Sequence, residues 1–415
     1  MTMIIKRDYY LQQLISSKSN NLIKIVTGIR RSGKSFLLFN LFHNHLIETG
    51  ISEDHIIEIA LDDRLNKKLR DPDVILQHIH ERIVDDKLYY IILDEVQMID
   101  EFTDVLNSLL HIRNADVYVT GSNSKFLSKD VVTEFRGRGD EIHLFPLSFA
   151  ELYNSIGGDK FELWKSYYTY GGLPGILELD SEKKKAAYLR SLHETVYLKD
   201  IIERNNLKNS EEFMELMRVM ASCIGSPCNP SKLENTFKSV KNETLDRKTI
   251  SKYISYMEDA FLIEKSMRYD IKGRKYIGTL SKYYFQDIGL RNALLNFRQV
   301  EENHIMENVI YNELRLRGFC VDVGMVEART AKERKQLEVD FVANMADRRY
   351  YIQSAFAMPD DDKREQECAS LKKIDDSFKK IIIMRDDIKP YHDNNGFYIV
   401  GLMDFLLKPN LIEQL

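Results

Sequence analysis

Residues 28–35 read Gly28-Ile29-Arg30-Arg31-Ser32-Gly33-Lys34-Ser35, between the apolar run Leu22 to Val26 and a segment where Phe36, Leu37, Leu38, Leu41 and Phe42 recur at helical spacing. A glycine turn that carries a buried strand into a helix aims backbone N–H groups, at the positive end of the helix dipole, toward an anion. Gly28 and Gly33 allow the tight turn and close backbone approach. Lys34 is placed for the β- and γ-phosphates of a nucleoside triphosphate, and Ser35 offers its hydroxyl to Mg²⁺. Gly28, Arg31, Ser32, Gly33, Lys34 and Ser35 are therefore the candidate nucleotide-binding residues. A plain glycine turn before an ordinary helix is the alternative, and the flanking strand and helix pattern weighs against it.

The second half of such a site is expected on a neighbouring strand. His55 to Leu61 and Leu88 to Leu93 are short apolar runs closed by Asp62-Asp63 and Asp94-Glu95, with a helix between them that starts at Asp71 and Pro72. Runs of this kind alternating with helices predict a parallel α/β sheet. Asp94 is assigned to the Mg²⁺ shell and Glu95 to orienting and polarising the attacking water. A further strand, Asp116 to Thr120, leads into Gly121, Ser122 and Asn123. Ser122 is the first candidate to reach the γ-phosphate, Asn123 the second, and a local turn the competing reading. Arg136 and Arg138 lie in a glycine-rich stretch before the apolar run Ile142 to Phe145. Arg138 is the favoured donor to transition-state charge, in cis or across a subunit interface, with an ordinary surface ion pair as the rival.

The phosphate loop with Arg30-Arg31 inside it, Leu93-Asp-Glu-Val-Gln97, Thr120-Gly-Ser-Asn-Ser124 and Arg138 before Leu144-Phe-Pro-Leu-Ser-Phe149 together resemble the prokaryotic AAA-type ATPases. The resemblance implies an AAA+ fold, ATP as the nucleotide, a helical lid, a C-terminal domain of unassigned role, and a part for Gln97 in coupling nucleotide state to neighbouring loops. On this basis the chain divides into an ATPase core (1–145), a lid (146–204), a winged helix-turn-helix (205–300) and a nuclease-like domain (301–415). In the lid, Lys185 to Arg204 is expected to form one long helix. No arginine follows the Gly-Gly-Leu-Pro turn until Arg190, which argues against a lid sensor.

Three helical patterns, the last from Thr249 to Ala260 with Tyr256 outward, precede a hairpin tipped by Lys272, Arg274 and Lys275. That is the outline of a winged helix. Lys252, Lys272, Arg274 and Lys275 are the candidate DNA-contacting residues, and protein docking is the alternative use. From Pro230 to Leu295 there are 13 Lys and Arg against 8 Asp and Glu, in a chain of net charge -5. Beyond residue 300, a helix bearing Glu307, a strand bearing Glu338-Val-Asp340 and a further strand resemble the restriction-endonuclease-like fold. The third motif reads Ile352-Gln-Ser-Ala355, with glutamine for the expected carboxylate and alanine for the expected lysine. A fold kept for binding or for a protein partner is therefore expected rather than an active nuclease, and Glu338 reads as a surface carboxylate.

At 415 residues, 44% hydrophobic and 30% charged, the chain can bury a large core. No apolar run approaches the roughly 20 residues of a spanning helix, and Lys6, Arg7 and Asp8 interrupt the start, so a cytoplasmic location is expected. Four cysteines with no second pair or histidine cluster predict reduced thiols and no zinc site. Three functions follow: an ATPase that repositions its other modules, a nucleotide-gated DNA-binding regulator with slow hydrolysis, and a Mg²⁺-dependent nuclease. Oligomeric state stays open.

Overall fold

Strand β1 (Ile23–Thr27) is buried at all five positions and lies inside a five-stranded parallel sheet. The computed structural model describes residues 4–121, 137–241, 245–329 and 334–414. The other strands of this sheet are β2 (Ile56–Ala60), β3 (Tyr89–Asp94), β4 (Ala115–Thr120) and β5 (Gly139–His143), in the order β2-β3-β4-β1-β5. Side chains alternate across a strand, so each apolar run feeds two cores. Ile25, Ile57, Ile59, Ile91 and Val119 meet the helices Pro72–Arg82 and Phe102–Leu109 on one face. Val26, Ile56, Tyr90, Ile92 and Tyr118 meet helix Asp8–Ser16 and the helical stretch from Lys34 to Glu48 on the other. Burial on both faces is what unbroken Val/Ile/Leu/Tyr runs require. The Pro72 helix starts as its sequence predicts: Asp71 Oδ1 accepts from the N–H groups of Asp73 and Val74 at 3.0 and 3.1 Å. Val74, in the first turn of this helix, is exposed, while Ile75 and Ile79 are buried.

The chain forms two compact units. The first comprises Met1–Leu147 with Leu173–Glu178 and Asp259–Phe261; the second comprises Ser148–Gly172, Leu179–Glu258 and Leu262–Leu415. The stretch expected to form a lid is thus shared out. Phe149 and Trp164, on helices Phe149–Ile156 and Lys160–Tyr170, belong to the same apolar core as Ile305, Tyr311 and Phe341 of the second unit. The Gly171-Gly172 break after these helices is sterically forced: a Cβ on Gly171 would stand 2.5 Å from the Asp287 carboxylate, which accepts from the Gly172 N–H at 2.8 Å. The long helix expected from Lys185 to Arg204 runs as Glu182–Leu192, a π-helical segment His193–Leu198, and Lys199–Asn205.

The second unit carries an eight-stranded mixed sheet built from β6 (Ile263–Asp270), β7 (Lys275–Phe285), β8 (Cys320–Arg329), β9 (Arg334–Met345), β10 (Arg348–Ala355), β11 (Lys379–Met384), β12 (Tyr391–His392) and β13 (Tyr398–Gly401). Their order is β12-β13-β11-β10-β9-β8-β6-β7. The basic-tipped hairpin is β6–β7, and β6 pairs in parallel with β8 through Arg268↔Val323 and Asp270↔Met325. It is part of the C-terminal sheet rather than the wing of a self-contained 205–300 module. A hairpin pattern in sequence fixes the pairing of its own two strands but not the partner of its outer edge. Helix Arg247–Asp259 precedes it, starting before Thr249 with the Asp246 carboxylate accepting from the Thr249 N–H and hydroxyl, and Tyr256 is buried rather than outward.

Candidate functional site

Loop 28–35 sits between β1 and the helical stretch that starts at Lys34. Gly28 has φ +134°, and a Cβ there would lie 2.2 Å from the Leu144 carbonyl oxygen, so only glycine fits. Gly33, at φ +99°, caps the helix. Arg31 takes a left-handed φ of +65° and is exposed, while Ser32 is buried with its hydroxyl unpartnered. A buried hydroxyl without a partner is costly unless a ligand supplies one.

Lys34 is buried, and its ammonium donates to the carbonyls of Gly28 and Ile29 at 3.0 and 3.1 Å. Burial lowers its pKa to about 8 against the opposing pull of Glu95 and Asp94. Asp94, at the end of β3, is pushed the other way: burial raises it, bonds from Thr120 and Ser35 hold it down, and Glu95 and Asp62 add to the rise. Ser35 is itself exposed. Glu95 follows in a left-handed conformation, φ 54° and ψ 48°, which turns the chain sharply after the strand. Gln97 donates to the Glu95 carboxylate. The structure therefore brings Lys34 and Ser35, at the start of the helical stretch after β1, together with Asp94 and Glu95 at the C-terminal end of β3.

Two groups that sequence reading passed over complete the site. Thr120, the last residue of β4, donates to Asp94 and accepts from the Glu95 N–H at 2.9 Å. It joins both carboxylate residues through one hydroxyl. The sequence showed a polar residue at the strand end but gave no register to choose it over Ser122. Ser122, Asn123 and Arg136 lie outside the described residues. Arg7 donates to the Ser32 carbonyl at 3.1 Å and the Phe145 carbonyl at 2.8 Å, tying the N-terminal segment to the loop. Beside the loop is a cavity of about 620 Å³, walled by Ile5, Arg7, Phe36, Leu147, Pro174 and Leu177. An apolar slot adjoining a phosphate loop suits a flat heterocycle. Arg138 is exposed and donates to Asn107 at 3.1 Å; it is not among the groups gathered around Lys34.

In the second unit, Lys252, Lys272, Arg274 and Lys275 are exposed. Glu338 is not the free surface carboxylate expected of it: it pairs with the buried Lys282 at 2.7 Å. On helix Lys199–Asn205, Lys199 pairs with Glu203 and Arg204 with Asp200 at i,i+4 spacing. All four cysteines are free thiols. Among the described residues no group of three or more His, Cys, Asp or Glu could hold a metal ion, and no helix is long and apolar enough to cross a membrane.

Residues 20–153 match the family model described as an AAA domain, and residues 161–301 match a domain of unknown function, DUF8612. A Haemophilus influenzae protein described as uncharacterized is 33% identical over 414 residues, spanning 98% of this chain and 99% of that protein. An uncharacterized protein of Methanocaldococcus jannaschii is 29% identical over 428 residues, spanning 99% and 89% respectively. Among solved structures, the Aeropyrum pernix ORC1 protein in complex with DNA aligns with 71% of this chain and 93% of its own at 13% identity and a TM-score of 0.32. At that score the likeness carries no functional weight.

Proposed function

We propose that this chain, which belongs to the same family as the uncharacterized Haemophilus influenzae protein and carries an AAA-type P-loop domain, binds ATP with Mg²⁺ and hydrolyses it. The observation that carries this reading is the state of Lys34: a buried ammonium held by two loop carbonyls rather than by a carboxylate. It can transfer both hydrogen bonds to phosphate oxygens, while the unpartnered Ser32 hydroxyl and the cavity beside Phe36 and Leu147 lie next to it. Ser35 and Asp94 would hold Mg²⁺, and the ion when bound would neutralise phosphate charge. Asp94 suits that role because burial and its acidic neighbours already make its negative charge unfavourable without a cation. Glu95 would accept the proton of the attacking water, with Gln97 and Thr120 fixing its carboxylate and backbone. Calorimetry of the full chain with ATP and Mg²⁺ tests the binding half. Absence of uptake would remove the proposal. Glu95→Gln, retaining binding but losing turnover, tests the catalytic half.

A second reading, nucleotide-gated DNA contact, draws on the exposed Lys272, Arg274 and Lys275 around the β6–β7 turn. Phosphate contacts of this kind give salt-sensitive, sequence-tolerant binding. Electrophoretic mobility shifts with and without ATP, comparing the parent with Lys272→Glu/Arg274→Glu, read it directly. Unchanged mobility in both states would dispose of it. Coupling between nucleotide state and the second unit, whether to DNA or to a protein partner, belongs to the same proposal.

A further inference from the structure

The ammonium of Lys282 on β7 stands among three carboxylates drawn from two other elements. It lies 2.8 Å from Glu307 on helix Glu302–Leu316, 2.7 Å from Glu338 and 3.6 Å from Asp340, both on β9. Only 2% of the lysine side chain is exposed. These three acids include the two, Glu307 and Asp340, that a nuclease-like reading would assign to Mg²⁺. We propose that Lys282 is a built-in cation standing where a divalent ion would otherwise balance these acids, so that the cluster as it stands holds the protein's own side chain and no metal.

Several of the oxygens are already committed. Glu307 Oε1 accepts from Lys282 and, at 2.7 Å, from the Tyr284 hydroxyl, while Gly225 packs so tightly that a Cβ there would lie 2.9 Å from Oε2. Asp340 Oδ2 accepts from the Ser354 N–H at 2.8 Å, and the Gln353 amide oxygen accepts from the Asp340 N–H at 3.4 Å. Mg²⁺ demands near-octahedral oxygens and retains several waters, and with the ammonium in place the cluster does not offer them. Ion access is not the obstacle, because a cavity of about 600 Å³ lined by His304, Glu307, Asp340, Gln353 and Lys363 opens beside the cluster. The ammonium is the obstacle. Burial and Glu307 lift the Asp340 carboxyl well above the ordinary range, as expected where three acids share one positive charge. The metal-dependent nuclease reading needs the position that Lys282 fills. This inference is independent of the nucleotide site.

The test is Mn²⁺ binding to the full chain without nucleotide, followed by electron paramagnetic resonance and by thermal melting. The parent should show no binding that Asp340→Asn removes, and no Mn²⁺-induced rise in melting temperature. Lys282→Met should gain one ion at least tenfold more tightly bound than any the parent holds, and should lose it in Lys282→Met/Asp340→Asn. Lys282→Met/Glu338→Gln, which keeps Glu307 and Asp340 with less repulsion, guards against failure to fold. If Lys282→Met is unfolded without metal, refolding in Mn²⁺ but not in K⁺ counts as the gain. Two outcomes overturn the proposal: Mn²⁺ binding by the parent that depends on Asp340, or no additional ion in either folded methionine variant.

Discussion

Lys34 and Lys282 are both buried and sit in opposite electrostatic circumstances. Lys34 bonds to two backbone carbonyls, and desolvation outweighs the more distant carboxylates, lowering its pKa to about 8. Burial disfavours the Lys282 charge too, but Glu307, Asp340 and Glu338 more than offset it, and its pKa rises above the usual lysine value. One ammonium is held by backbone carbonyls; the other has its counter-charges already in place. Burial alone therefore says nothing about whether a cation is functional. The partners decide.

Catalysis offers the widest test of this contrast. Under the proposed ATPase reading, Glu95→Gln should lower turnover about 10²–10⁴-fold with nucleotide binding retained, measured by phosphate release and calorimetry. Next come the lysines themselves, compared by chemical denaturation. Lys282→Met should cost about 3–5 kcal/mol because it strands buried carboxylates. Lys34→Met, which removes no carboxylate's hydrogen-bond partner, should cost clearly less while abolishing ATP uptake. Equal losses in the two variants would break the comparison. A smaller effect is expected at Thr120, where Thr120→Val removes a hydroxyl shared by Asp94 and Glu95 at a cost of about 1–3 kcal/mol. Turnover should fall with it, and Thr120→Ser should restore both. The smallest effect is that of pH on ATP affinity. Free Lys34 titrates near 8, and phosphate would raise that value, so binding takes up a proton above it. Affinity should be flat below pH 8 and weaken by up to about tenfold per unit above it, with proton uptake measured in buffers of different ionisation enthalpy. A flat profile to pH 9.5 would separate Lys34 from the bound phosphates.

How much of this the sequence disclosed depends on how local each feature is. The phosphate loop, β1 to β4 and the Asp94-Glu95 pair were legible because each is a contiguous run whose chemistry is set by neighbours in the chain. Thr120 was not, since its importance comes from lying level with Asp94 across β3 and β4, a matter of register. Arg7 looked like a charge near the start; only the fold brings it to Ser32 and Phe145, 25 and 138 positions away. Glu338 looked like surface because its counter-ion lies far back in the chain, on β7. The same gap hid the membership of β6–β7 in the second sheet: the hairpin is obvious as a hairpin, while its pairing with β8 rests on contacts across some fifty residues.

That pairing has a practical consequence for anyone cutting the gene into pieces. The homology segment 161–301 stops after β7 and before β8, so a protein expressed to that border would present the naked flank of β6, and the complementary piece would present β8 with no neighbour on that side. Unsatisfied strand flanks recruit one another. Both halves should go to inclusion bodies when made alone, and co-expression should recover soluble material if the seam can close between separate chains.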